Sequence, residues 1–242
     1  MFSENPACFY SQTFPLQILQ ENRPLKSAHQ HFQEFVYPSM EKRELLPLLF
    51  GVAIPGLRNN KNENNKIFNR SIVVDLNGNL ISQYDKIHMF DVKLSNKEFY
   101  NESDTFTPGN KLKTFKVYDC LMGQSICYDL RFPKLYRALA KKGAKIIVIP
   151  SAFTYTTGKA HWHTLVRSRA IENGVYIVAP NQWGTNIERR STYGHSMVVN
   201  PWGDIIAEAK DGETILNCEI DISDVDVYQQ SIPVLKNDVD LV

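Results

Sequence analysis

Long apolar runs, a bias of charge and paired cysteines are what this sequence has least of. No run of its 242 residues reaches the ~20 apolar positions that a membrane-spanning helix needs, and KIIVIP is far too short. Lys and Arg total 27 against 26 Asp and Glu, a formal net charge of +1 with both signs spread throughout. Without a basic patch or an acidic tail, nucleic acid is not an expected partner. The four cysteines, Cys8, Cys120, Cys127 and Cys218, show no CxxC spacing, and no HExxH occurs. Neither a metal nor another cofactor is therefore expected, and free thiols in a reducing compartment fit better than disulfides. MFSENPACFY lacks the basic start and apolar core of a secretion signal, so the expected setting is cytoplasmic. With 43% hydrophobic residues, no internal repeat and no linker, residues 1–242 read as one domain with a substantial core.

What is there centres on GQSICYDLRFPKLY, with Cys127 in its middle. Residues 121–126 read as a short buried strand. Pro133 suits the first turn of a helix, where its missing N–H has no partner to lose. Leu135, Leu139 and Ala140 follow at helical spacing, with Gly143 placed for a left-handed cap. Cys127 thus falls at a strand-to-helix turn, where a side chain is presented beside fresh backbone N–H groups.

Strands are expected over residues 48–54, 67–75, 80–88, 111–117, 119–127, 144–150, 175–180 and 215–220. Hairpins are expected at Asn77-Gly78 and around Pro201-Trp202-Gly203-Asp204. Helical character is expected over 27–37 and 160–173, the second closed by Gly174. Residues 94–110 read as a long polar loop, and the tail from 221 shows no periodicity. Helices alternating with strands in the middle and hairpins at both ends imply a layered α/β domain.

A cysteine nucleophile needs its thiol, ordinarily of pKa about 8.5, deprotonated by a base or a positive field, and donors aimed at the oxyanion it creates. The candidate bases are Glu4, Glu98, Glu102 and several histidines, and the candidate cation is Lys86. A papain-like pairing of Cys127 with His161, His163 or His195 is the rival arrangement, but YDKIHMFD and CYDLRFP have no place in it.

Together these segments resemble the nitrilase superfamily of carbon–nitrogen hydrolases. The resemblance lies in FSENP, YDKIHMFD, FYNESDTFTPG, GQSICYDLRFP, PSAFTYTTGKAHWHTLVRSRAIENGVYIVAPNQWG and YGHSMVVNPWG, and covers practically the whole chain. It implies a four-layer α-β-β-α sandwich, here lacking the family's first strand and helix, with homodimers packed across a two-fold axis. It further implies that Glu4 acts as base and Cys127 as nucleophile. Lys86 and the backbone N–H of Tyr128 would hold the oxyanion, and Glu102 would assist. His161 and His163 would line the pocket, His163 standing where many relatives carry a glutamate. Arg189 and Arg190 could meet a substrate carboxylate.

Among branches, the pattern looks most like the Nit-type amidases that act on deaminated glutathione and similar short ω-amides. The ω-amidases of α-keto acid amides are the near alternative. A shortened, inactive homologue that only binds or dimerises is the alternative of another class.

Overall fold

The computed structural model describes residues 67–75, 79–96, 98–185 and 191–239, together with the backbone course of two earlier strands. Those two are β1 (Thr13–Gln20) and β2 (Leu48–Val52). β2 is followed by β3 (Arg70–Val74) and β4 (Leu80–Asp85), which form with it an antiparallel sheet in the order β2-β3-β4. The Asn77-Gly78 turn and the helix expected over 27–37 lie outside the described residues.

The polar loop expected over 94–110 instead holds the second strand of a small hairpin that begins just before it. Its strands are β5 (Asp91–Lys93) and β6 (Phe99–Asn101), followed by a 3-10 turn over Glu102–Asp104. These strands are too short and too exposed to leave a period of two in the sequence.

The central sheet is built from β7 (Thr114–Val117), β8 (Cys120–Gln124), β9 (Ile146–Val148) and β10 (Tyr176–Ala179). It is completed, beyond the small hairpin of β11 (Trp183–Thr185) and β12 (Ser191–Tyr193), by β13 (Met197–Val199) and β14 (Ile205–Glu208). The six strands run in the order β14-β13-β10-β9-β8-β7, and only β8, β9 and β10 are mutually parallel. Parallel neighbours need crossovers. These are supplied by α1 (Pro133–Lys141) and α2 (Tyr155–Asn173).

Both faces of this sheet are buried. Alternate residues of each strand point to opposite sides, so Ile147 and Ile177 pack with Leu135, Leu139, Trp162 and Val166 of the helices. Their neighbours Ile146, Val148, Tyr176 and Val178 pack with Val73 of the second sheet and with Ile220 and Ile222. That is why residues 144–150 and 175–180 read as continuous apolar runs rather than alternating ones. The described residues thus supply three layers, α-β-β, of the expected sandwich.

Three expectations are corrected. α2 begins at Tyr155, not at 160, because the Thr154 hydroxyl caps it by accepting from the Thr157 N–H at 3.4 Å. The β-branched TYTT run hides this start from propensity, and His161 and His163 lie inside the helix rather than at its beginning. The tail holds α3 (Ser223–Ser231), which buries Val225 and Tyr228 and ties the Tyr228 hydroxyl to the Ile171 carbonyl at 2.8 Å. A helix with two buried positions leaves no readable periodicity. Finally, β1 was not expected at all. It pairs antiparallel with β15 (Thr214–Asp221), from Thr13 opposite Asp221 to Gln20 opposite Thr214. Among the described residues no helix is long and apolar enough to cross a membrane.

Gly158 lies where α2 meets β12. A Cβ there would sit 2.3 Å from the Tyr193 Cβ. Gly158→Ala is expected to displace Tyr193 and to destabilise the fold by about 1–3 kcal/mol, measured by urea unfolding.

Candidate active site

Cys127 opens the turn that follows β8 and meets the chain leaving β9. After β8 the chain passes from Ile126, in extended backbone, to Cys127 at φ 45°, the left-handed region, and then into a 3-10 turn over Cys127–Arg131. A non-glycine residue held there is uncommon and needs its surroundings to enforce it. The enforcement is visible. The Cys127 N–H donates to the Pro150 carbonyl at 3.0 Å, and Asp129, fully buried, accepts the Ile126 N–H at 2.9 Å. The same carboxylate accepts from the Tyr84 hydroxyl at 2.7 Å, from the His88 N–H at 3.1 Å and from His88 Nδ1 at 2.7 Å. Burial and then the charge of Asp129 push the Tyr84 phenol far up, so it remains a donor. Asp129 therefore fastens the cysteine turn to the end of β4. Sequence reasoning missed it, although it stands two residues from Cys127 within the motif.

Lys86 follows β4 directly. Its N–H donates to the Asn69 carbonyl and its carbonyl accepts the Gly109 N–H, both at 2.8 Å, so the backbone is fixed on two sides. Its side chain is 2% exposed and forms an ion pair with Glu102. Glu102 also accepts from the Asn69 amide and from the Phe90 N–H, both at 2.7 Å. Every oxygen of that carboxylate is thereby occupied by a donor, which a buried ion pair needs if it is not to lose more in desolvation than it gains. The Lys86 ammonium stands 6.0 Å from the centre of the Tyr128 ring.

The Cys127 thiol is pushed up by burial. Lys86 and the Ala152 N–H pull it down, and Glu102 and Asp129 push it up further, with a net rise above the usual thiol range. In this arrangement the thiol rests protonated at neutral pH and needs a base to attack. The Tyr128 N–H, next in the turn, has no acceptor among the described residues.

Arg131, the last residue of the turn, was not singled out by the sequence. Its guanidinium lies 5.9 Å from the Tyr128 ring and 5.4 Å from the Phe153 ring, and both terminal nitrogens donate to His161 Nδ1 at 3.3 Å. Among the described residues no carboxylate pairs with it. Burial lowers its pKa, while Tyr128 and then Cys127 raise it, which places the cation in the electrostatic neighbourhood of the thiol.

The structure thus brings together Lys86, Glu102, Cys127 and Tyr128, with His161 joined to them through Arg131. His163 does not join them: it meets Glu208 and His195 instead. Glu98 bonds Tyr100 and Thr156, away from this group. Glu4, Arg189 and Arg190 lie outside the described residues.

The chain belongs to the carbon–nitrogen hydrolase family, whose model matches residues 23–230. Within that family it sides with the Nit branch of the nitrilase superfamily. The chain is 40% identical over 189 residues to the omega-amidase NIT3 of Saccharomyces cerevisiae, covering 78% of this chain and 64% of that protein. It is equally 40% identical over 179 residues to the deaminated glutathione amidase of Synechocystis sp., covering 73% and 66%. These alignments span just under two thirds of the relatives' own length. The crystal structure of Saccharomyces cerevisiae Nit3, a member of branch 10 of the nitrilase superfamily, superposes with a TM-score of 0.76 at 28% identity. That match covers 93% of this chain and 96% of the other.

Because the resting thiol is held up by burial, alkylation of Cys127 by iodoacetamide at pH 7 is expected to be slower than that of a free thiol and to rise with pH beyond the usual thiol range. Lys86→Met removes a charge that lowers the thiol, so the reaction should slow further at each pH. Peptide mass spectrometry over a pH series measures both effects.

Proposed function

We propose that the protein is a cofactor-free thiol amidase. It hydrolyses a small carboxylate-bearing carboxamide of the deaminated-glutathione kind to the acid and ammonia. The observation that carries this reading is the left-handed Cys127 turn set beside the buried Lys86–Glu102 pair. Glu4 takes the thiol proton, and the sulfur of Cys127 attacks the amide carbonyl. The oxyanion is held by the Lys86 ammonium and the Tyr128 N–H. Collapse expels the amine, protonated by the same base, as ammonia and leaves a thioester on Cys127. Water, deprotonated by that base, attacks the thioester and frees the acid and the thiol. Glu102 acts by holding Lys86 in place.

Arg131 serves as the partner of the substrate carboxylate. Its planar fork matches a carboxylate, it ends the turn that begins at Cys127, and the aromatic faces of Tyr128 and Phe153 hold it without neutralising it. Arg189 and Arg190 remain candidates for a second contact.

An ω-amidase acting on α-keto acid amides is the second reading, favoured by relatives of that name at the same identity as the deaminated glutathione amidases. Both substrates present a carboxylate and a terminal amide, so the two readings share one mechanism. The reading also comprises a single catalytic domain, a homodimer and a cytoplasmic setting in which the thiols stay free.

Mixing the chain with a panel of short ω-amides, deaminated glutathione among them, is expected to release ammonia and to add an acyl mass at Cys127. Cys127→Ala and Lys86→Ala should each abolish turnover in a folded protein. Full activity in Cys127→Ala would end the mechanism, and a folded wild-type protein inert toward the whole panel would favour a homologue that only binds.

Arg131→Lys is expected to raise KM for carboxylate-bearing amides at least tenfold, about 1.4 kcal/mol, with a smaller loss in kcat. The KM for a neutral amide of similar size should hardly change. Steady-state kinetics on the two substrates measures the difference.

A further inference from the structure

A second cluster of chemistry-bearing side chains stands apart from Cys127. His163 of α2, His195 in the turn before β13 and Glu208 at the end of β14 come from three separate elements. His163 Nε2 and His195 Nδ1 both lie 2.7 Å from the same oxygen, Glu208 Oε1. One ligand atom from each of the three residues fits within a span of 4.8 Å.

The site is held in place rather than drifting. His195 sits at φ 57°, and its carbonyl accepts the Trp162 Nε1–H at 2.8 Å. Its ring stacks on Tyr193 with centroids 4.4 Å apart and planes 23° apart. All three side chains are partly exposed, which leaves room for a further ligand.

On a helix of 3.6 residues per turn, positions two apart are rotated by about 200°. His161, which meets Arg131, and His163, which meets Glu208, therefore face opposite sides of α2. The cluster does not belong to the Cys127 site.

We propose that His163, His195 and Glu208 form a binding site for a zinc ion that clips α2 to β14, with water as the fourth ligand. Two imidazoles and a carboxylate are the donor set that zinc takes with three protein ligands. At bond lengths of about 2.0–2.1 Å in a tetrahedral site, neighbouring donor atoms stand about 3.3 Å apart. The two 2.7 Å contacts have to open by about half an ångström, and the two imidazole nitrogens, which lie within 4.8 Å of each other, have to settle at the same spacing as the ion takes the place of the two hydrogen bonds. The site is independent of the amide chemistry proposed above.

The test is titration of the whole chain with cobalt(II) as a spectroscopic stand-in, followed by displacement with zinc. One equivalent is expected to give the d–d absorption of a nitrogen and oxygen site without thiolate-to-metal charge transfer. Glu208→Gln keeps an acceptor for both histidines while removing the anion, and is expected to weaken binding at least tenfold, as is His163→Gln. In the unaltered protein, zinc should shield His163 and His195 from diethyl pyrocarbonate, read by peptide mass spectrometry. Absence of binding, a sulfur charge-transfer band, unchanged affinity in Glu208→Gln or unshielded histidines would each overturn the site and leave a purely hydrogen-bonded cluster.

Discussion

The carboxylate of Asp129 is fully buried, and what makes this tolerable is the set of donors converging on it. Ile126, Tyr84 and His88 present four hydrogen bonds, two from backbone N–H groups and two from side chains. A buried charge that lost them would be costly, so the chain around it has little freedom. The turn bearing Cys127 follows β8 of the central sheet, whereas Tyr84 and His88 belong to the end of β4 in the other sheet. This one group therefore sets the position of Cys127 relative to Lys86, two residues before His88. The stacking of the His88 ring on Phe132, with centroids 3.6 Å apart, fixes the far side of the same junction.

That junction works because the sheets behind it cannot move independently. β8, β9 and β10 are buried on both faces, by helices on one side and by the second sheet on the other. Close-packed interiors of this sort resist small displacements. Cys127 and Lys86 are thus carried on turns at the ends of packed strands. This is the usual place for a site in parallel sheets, because strand ends are the points where backbone leaves the ladder and polar groups become free.

Much of this was legible in the sequence. The strand before Cys127, Pro133 at the start of α1, the cap at Gly174 and the double-faced strands each leave a local signature. Lys86, Glu102 and Cys127 were assembled by resemblance, since no spacing rule connects positions 86, 102 and 127. The elements that escaped are those with weak local signals: the exposed strands β5 and β6, the helix α3 with its two buried residues and β1 opposite β15. Pairing across some two hundred residues of chain is invisible to any local window.

The sequence by itself determined the class of fold and the family, because periodicity, capping and motif are properties of neighbouring positions. Tertiary structure alone decided what each polar side chain faces. It put Arg131 against His161 and the rings of Tyr128 and Phe153, buried Asp129 as the anchor of the cysteine turn, and sent His163 away to share Glu208 with His195. Residues 163, 195 and 208 have no metal-like spacing, and their donors meet only because a helix, a turn and an edge strand of the central sheet close on one another. Convergence of this kind depends on packing between elements, which the order of residues along the chain does not display.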